Sequence, residues 1–370
     1  MTRLPAYRCG PGAALEAIVQ TDELADHLVG SVLGALDVLN IAVGAHFGLY
    51  EVLHRRACTP GEAAAASGMA PRYAREWLEQ QCVAGLVDVD DASLPADDRS
   101  YRVSDEHAAV LADRDSLAYL TPFAQVVAAA GAQLPRLLDA YASGGGVPWD
   151  AYGPAMREAQ ADANRPLFLR LLGSQWLPSL PEVHAALSAG GRVADLGCGD
   201  GWASIGVGLA YPAAQVDGYD IDAASVEAAT AHAAAHGLAG RVRFHLADAA
   251  TAAAGSYDLV LAMECVHDLA DPVAVLASAR RLVTEGGSVV VMDERVPDEF
   301  TGPGDPTEQM MYGISMLVCL PDSLSHAPSV ATGTVMRAPV LRGYAREAGF
   351  ADVEVLPIEH DVFRFYRLVA

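Results

Sequence analysis

The chain has 370 residues, is 52% hydrophobic, and carries a formal charge of −23. That length predicts two or three domains with room for large cores. The charge excludes the usual route to nucleic acid, which needs Lys and Arg to neutralise phosphates, and works equally against anionic membranes. No continuous apolar run approaches the ~18 residues of a membrane span. The opening "MTRLPAYRCGPGAALEAIVQ" lacks the apolar core and small-residue cleavage site of a signal peptide, so a soluble cytoplasmic protein is expected. Cys9, Cys58, Cys82, Cys198, Cys265 and Cys319 form no C-x-x-C pair, which fits reduced thiols and no zinc ribbon.

Residues 23–53 read as helices apolar on most faces, and such a helix must be buried by something. A second copy of the chain is the expected partner. Thr59-Pro-Gly-Glu62 reads as a capping box with Pro at the first helical position. A second helix through "APRYAREWLEQQCVAG" precedes a strand, the polar turn "DASLPADDRS", and another strand at "YRVSDEH". Two helices and a β-wing make a winged-helix pattern. Residues 54–90 hold four Arg against five Asp or Glu, and Glu76 and Glu79 lie on the would-be recognition helix. A DNA contact is therefore disfavoured, and a dimerisation and substrate-lid module is expected over 1–112. Residues 113–185 read as a helical linker and lid, interrupted by "ASGGGVPWDAYG". Loop aromatics such as Trp149 and Tyr152 either line a pocket or pack as a connector.

From residue 186 strands alternate with helices, which predicts a doubly wound parallel α/β sheet. The strands are "RVADL", "AQVDGYD", "RVRFHLAD", "YDLVLAM" and "SVVVMDE", and "ADVEVLPI" and "VFRFYRLVA" close the chain as an antiparallel pair. The helix between strands four and five is expected to end at Gly286-Gly287. The glycine turn is Asp195-x-Gly197-x-Gly199-x-Gly201, with Trp202 where a dinucleotide fingerprint requires glycine. Such a turn lets a ligand approach the backbone. Asp195 suits an ammonium or hydroxyl and disfavours phosphate. Asp220 ends strand two, about 20 residues on, where a carboxylate can hold ribose hydroxyls. Asp222 reads as the next helix's N-cap, and Asp248 follows strand three.

The segments "VADLGCGDG", "VDGYDID", "LADA", "YDLVLAMECVHDL" and "LVTEGGSVVVMDE" resemble the class I S-adenosylmethionine-dependent methyltransferases. That resemblance implies a Rossmann-like seven-stranded sheet with the last strand antiparallel, over residues 186–370. It implies a S-adenosylmethionine site at Asp195, Gly197, Cys198, Gly199, Gly201, Asp220, Ile221, Asp248, Ala249 and Met263. The N-terminal pattern is similar to small-molecule O-methyltransferases, which implies a homodimer and a small acceptor. In such enzymes a His after strand four supplies the base, which matches His267, followed by Asp268; Leu269 stands where an aromatic is usual.

Transfer from a sulfonium needs alignment and exclusion of water, and a base only where the acceptor loses a proton. His267 is read as that base or as a structural residue, with Glu264 a second acceptor and Asp268 an orienting group. No metal is expected; the alternative would use His267, Asp268 and His326. The stripe "EQMMYGISMLVCLP" is core or an acceptor wall. Met311, Tyr312 and Met316, with Phe123, Trp149 and Tyr152, then suggest an aromatic or polyketide-like acceptor. Two other functions stay open: a non-methylating enzyme of the dehydratase or pericyclase kind that uses the sulfonium as a fixed charge, and a ligand-responsive DNA-binding regulator.

Overall fold

The computed structural model describes residues 21–251 and 257–370, which fall into two units divided after Ala129. Cys9 and the opening stretch read against a signal peptide lie outside the described residues.

The first unit begins with α1 (Thr21–His46) and α2 (Leu49–Arg55). Its core is built by α2, α3 (Pro60–Ser67), α4 (Pro71–Val83) and the segments after them, and the end of α1 packs against α4. A side chain at Gly44 would stand 2.3 Å from the Trp77 ring, so only glycine allows this approach. Trp77 Nε1 donates to the Asn40 carbonyl at 2.8 Å, which satisfies the buried indole. The Thr59–Glu62 capping box forms as expected. The wing is β1 (Asp88–Val89) paired antiparallel with β2 (Tyr101–Arg102), and α5 (Asp105–Leu111) and α6 (Thr121–Ala132) follow.

The amino-terminal half of α1 is exposed and displays Leu24, Leu28, Val32 and Leu36. One expectation needs correcting here. By length and mean hydropathy α1 is apolar enough to cross a membrane. Interspersed Gly, Ser, Asn and His break the continuous run without lowering the average enough.

The second unit opens with α7 (Leu134–Ser143) and α8 (Gly153–Leu167), which continues as wider helical turns over Phe168–Trp176. Residues 130–185 fall in the same compact unit as the sheet. Two glycines explain the close packing. A Cβ on Gly173 would lie 2.2 Å from Ala210 Cβ, and one on Gly206 would lie 2.4 Å from the Phe168 carbonyl oxygen.

After α9 (Pro181–Ser188) come β3 (Arg192–Leu196), α10 (Trp202–Ala210), β4 (Gln215–Asp220), α11 (Ala223–Ala235), β5 (Val242–Leu246) and β6 (Tyr257–Met263). Then follow α12 (Pro272–Leu282), β7 (Val283–Glu294), α13 (Pro306–Ile314), α14 (Leu320–Ser325), α15 (Ala338–Glu347), β8 (Asp352–Val355) and β9 (Phe363–Val369). The strand order is β5-β4-β3-β6-β7-β9-β8. β9 runs antiparallel to both of its neighbours, β7 and β8, as expected.

The helix expected to run to the glycine pair instead stops at Leu282. Residues from Val283 pair with β6 through a register shift, with Gly286 in the left-handed region at φ 82°. β3, β4, β5, β6 and β7 are parallel, so their carboxyl ends meet at one edge, where an open α/β sheet binds its ligands.

Candidate active site

The edge has two parts. At the first, β3 runs into the glycine turn, with positive φ at Gly197, Gly199 and Gly201. The three glycines differ in what they permit. A side chain on Gly197 would strike Cys265 at 2.9 Å, and one on Gly201 would strike Phe244 at 2.5 Å. Gly199 faces open space, with nothing within 4 Å. The turn is held by Asp220, whose Oδ2 accepts the Gly199 N–H at 2.8 Å and whose Oδ1 accepts the Asp222 N–H at 2.9 Å. Burial pushes the Asp220 carboxyl up, and the two amide bonds oppose that.

Asp222 caps α11 as expected and also binds Arg157 of α8 at 2.7 Å. Ile221 and Leu246, at adjacent strand ends, are exposed and offer an apolar surface. Asp248 is exposed and accepts the Ala250 N–H. Ala249 and Met263 are buried, and Cys198 is half-buried.

Asp195 lies elsewhere. It is buried and accepts the Ser204 hydroxyl at 2.7 Å, so its side chain braces the first turn of α10. Burial lifts its carboxyl to about 7; the Ser204 bond lowers it and the Asp220 charge raises it further. Trp202 is buried, stacked on His232 at 4.4 Å, with Arg165 of α8 over its ring.

The second part surrounds His267, which is only 2% exposed. Nδ1 lies 2.7 Å from Asp293 Oδ1 and 3.1 Å from Glu294 Oε2, and Nε2 lies 3.2 Å from Asp268 Oδ1. Burial alone would lower the imidazole pKa, but Asp268, Glu294 and Asp293 together raise it well above the usual value. Burial pushes the Glu294 carboxyl well up, while the His267 charge opposes that. Asp293 is also buried, yet His267 and the bonds around it hold that carboxyl down.

Glu264 adopts φ 56°, uncommon for a residue with a side chain, at the strand end. Its Oε2 accepts a bond from Asn164 Nδ2 of α8. Burial lifts its carboxyl to about 7, with the His267 charge and the Asn164 bond opposing.

Asp293, Glu294 and Asn164 are missing from the sequence reading. The signal available for the first two is the "MDE" ending of β7, an acidic strand end like that of β4. Cys319 joins His267 and Asp268 as a possible donor set; His326 belongs to no such set among the described residues and sits 3.5 Å from Asp322.

The acceptor-wall residues divide. Met311 and Tyr152 are buried, and the Tyr152 hydroxyl donates to the Leu317 carbonyl at 2.7 Å. Tyr312 and Met316 are exposed and Trp149 is half-buried, its N–H donating to Asp322. Phe123 lies on α6 in the first unit.

Residues 187–321 match the family described as a methyltransferase domain, and residues 34–113 match the Rv2258c-like winged HTH domain. Among curated proteins, the chain is 39% identical over 99 residues to a ubiquinone biosynthesis O-methyltransferase of Cereibacter sphaeroides, covering 27% of this chain and 39% of that protein. A protein of the same name from Psychrobacter cryohalolentis is 35% identical over 106 residues, covering 28% and 40%. The chain thus spans about two-fifths of the length of these relatives.

Among solved structures, an O-methyltransferase family protein from Burkholderia thailandensis is similar at TM-score 0.66 and 21% identity, covering 96% of this chain and 98% of that one. Human N-acetylserotonin methyltransferase, solved with S-adenosylmethionine, is similar at TM-score 0.69 and 16% identity, covering 95% and 99%. At such identities the likeness shows the fold. The chain therefore carries a winged helix-turn-helix domain at residues 34–113 and a methyltransferase domain at residues 187–321.

Proposed function

We propose that the chain transfers a methyl group from S-adenosylmethionine to a hydroxyl of a small aromatic or polyketide-like acceptor. The open face of Gly199 beside Asp220 carries this reading. The Asp220 oxygens keep lone pairs for two ribose hydroxyls, and the exposed Ile221 and Leu246 suit a purine face. Trp202 occupies the position where a pyrophosphate would need a small residue. When bound, the cofactor supplies an electrophilic methyl on a sulfonium with a neutral leaving group.

The protein's own work is orientation and one proton. His267 fits less well as base, because both ring nitrogens face carboxylates, which raise its pKa well above the usual value. Glu264 fits better: its carboxyl lies near 7 at the edge of the sheet, steadied by Asn164. As the acceptor oxygen gains the methyl group, its proton passes to the Glu264 carboxylate. His267, fixed through Asp293, supplies positive charge beside it. The exposed Tyr312 and Met316 support an aromatic or polyketide-like wall.

A second copy of the chain is the proposed cover for the exposed apolar half of α1. DNA is not a proposed partner: Arg72, Arg75 and Arg99 pair with Glu76, Asp97 and Glu79, which leaves little charge for phosphates. Calorimetry with S-adenosylmethionine tests the first step, and absence of binding sinks the proposal. A product heavier by one methylene equivalent supports transfer; turnover that leaves the cofactor intact points to a non-methylating enzyme. Sedimentation of wild type and Leu28→Glu tests the dimer. A wild-type monomer, or partition into lipid vesicles in place of dimerisation, would overturn it.

A further inference from the structure

Four carboxyl groups crowd the one imidazole of His267. Asp268, Asp293, Glu294 and Glu264 all act on one imidazole. The chain contains no lysine. Arg157, Arg337 and Arg364 pair with Asp222, Glu308 and Asp298. Asp293 Oδ2 and Thr334 Oγ1 are buried without a hydrogen-bond partner, and Asp268 Oδ1 and Glu294 Oε2 meet the imidazole nitrogens at 3.2 and 3.1 Å. Asp293 is 1% exposed, Glu294 3% and Thr334 2%. Unsatisfied oxygens at such depth are costly unless something cationic meets them.

His267, Asp268 and Cys319 each offer one ligand atom, all within 4.8 Å of one another. Nε2 and Asp268 Oδ1 are 3.2 Å apart. Two donors at ~2.0–2.1 Å from one tetrahedral ion stand about 3.3 Å apart. On the far side of the ring, Asp293 Oδ1 sits 2.7 Å from Nδ1. That is the carboxylate–histidine arrangement that fixes the tautomer and aims the other nitrogen at a metal. Asp268 is partly exposed, so a fourth position can open toward a ligand.

We propose that His267, Asp268 and Cys319 bind one divalent transition-metal ion, of the zinc or ferrous class, with Asp293 as the positioning residue for His267. The nitrogen–thiolate–carboxylate set selects such an ion over magnesium or calcium. Metal ligands of these types bind deprotonated, so uptake of the ion releases protons. The inference concerns binding alone and stands apart from methyl transfer.

The test uses the full chain stripped with chelator, titrated with Zn2+ by calorimetry and with Co2+ by visible absorption. One equivalent of Zn2+ and a thiolate-to-cobalt charge-transfer band are expected. Cys319→Ser should abolish the band, Asp268→Asn should weaken Zn2+ at least tenfold, and Asp293→Asn should weaken it about 10–100-fold. Thermal melts and S-adenosylmethionine binding of each metal-free variant check folding; that cofactor titration also keeps failure of the metal site distinct from failure of the methyl-transfer reading. Less than one equivalent on wild type, a band that survives Cys319→Ser, or affinities unchanged in folded variants overturns the proposal.

Discussion

The two parts of the carboxyl edge are built differently. The glycine turn is made of backbone: three left-handed glycines, with Asp220 pinning amide N–H groups. The His267 cluster is made of side chains from several places, with His267 and Asp268 after β6, Asp293 and Glu294 from β7, and Cys319 from the turns after α13. A backbone cradle tolerates little change of shape but carries little charge. A buried charge cluster has its properties set by protons and neighbours. The first should fail by geometry and the second by titration.

Four measurements would break or sharpen that contrast. The largest effect belongs to Glu264→Gln, which should lower kcat by about 10²–10⁴-fold, the range of a positioned proton acceptor. The cofactor Kd should stay within a few-fold, and an equal loss in both would make Glu264 a binding residue. Next, Asp220→Ala should weaken S-adenosylmethionine about 10–100-fold, which corresponds to losing hydrogen bonds to a charged group worth about 1.5–3 kcal/mol. Cofactor affinity unchanged in this variant would move the ribose site elsewhere.

The third measurement compares two glycines of one turn. Gly201→Ala adds ~1–3 kcal/mol of overpacking to a left-handed strain of ~1–2 kcal/mol, because its Cβ meets Phe244 and Ala229. Gly199→Ala should cost only the strain in stability, with its main effect on cofactor affinity. Denaturant titration and calorimetry separate the two; equal stability losses would remove the distinction.

The smallest effect is a pH slope. Asp195 is raised to about 7 by burial, from an ordinary ~3.9 in the unfolded chain. Between those values the native state holds a proton that the unfolded state has lost, so this residue makes stability fall as pH rises through that window. Asp195→Asn should flatten that part of the stability–pH curve. An unchanged slope would place its source in another buried acid.

The sheet was legible in sequence because five parallel strands are short apolar runs punctuated by glycine and acidic residues. The cradle was legible for a related reason: Gly197, Gly199, Gly201 and Asp220 lie within one β-α-β stretch. The spacing does not reveal what each glycine is for; only contacts separate open Gly199 from crowded Gly201. The turn of Asp195 toward Ser204 also lies beyond a linear reading, since its neighbour is set by the start of α10. The His267 cluster was half legible. His267, Asp268 and Glu264 adjoin in sequence, whereas Asp293 and Cys319 are brought to them by β7 and by the chain after α13. Propensity reasoning also let α12 run too far, because pairing with β6 captures Val283 and the residues after it.

Helix α8 has a kinetic consequence. Arg157 reaches Asp222, Asn164 reaches Glu264, and Arg165 covers Trp202. One helix is thus tied to the loops after β3, β4 and β6. A ligand that shifts any of these loops does work on the same rigid rod, so occupancy at the cradle and at the acid cluster should be energetically linked. By reciprocity, whatever factor the cofactor applies to acceptor affinity, the acceptor returns to cofactor affinity. Cofactor dissociation would then slow when the acceptor is bound, and α8 would set the order in which products depart.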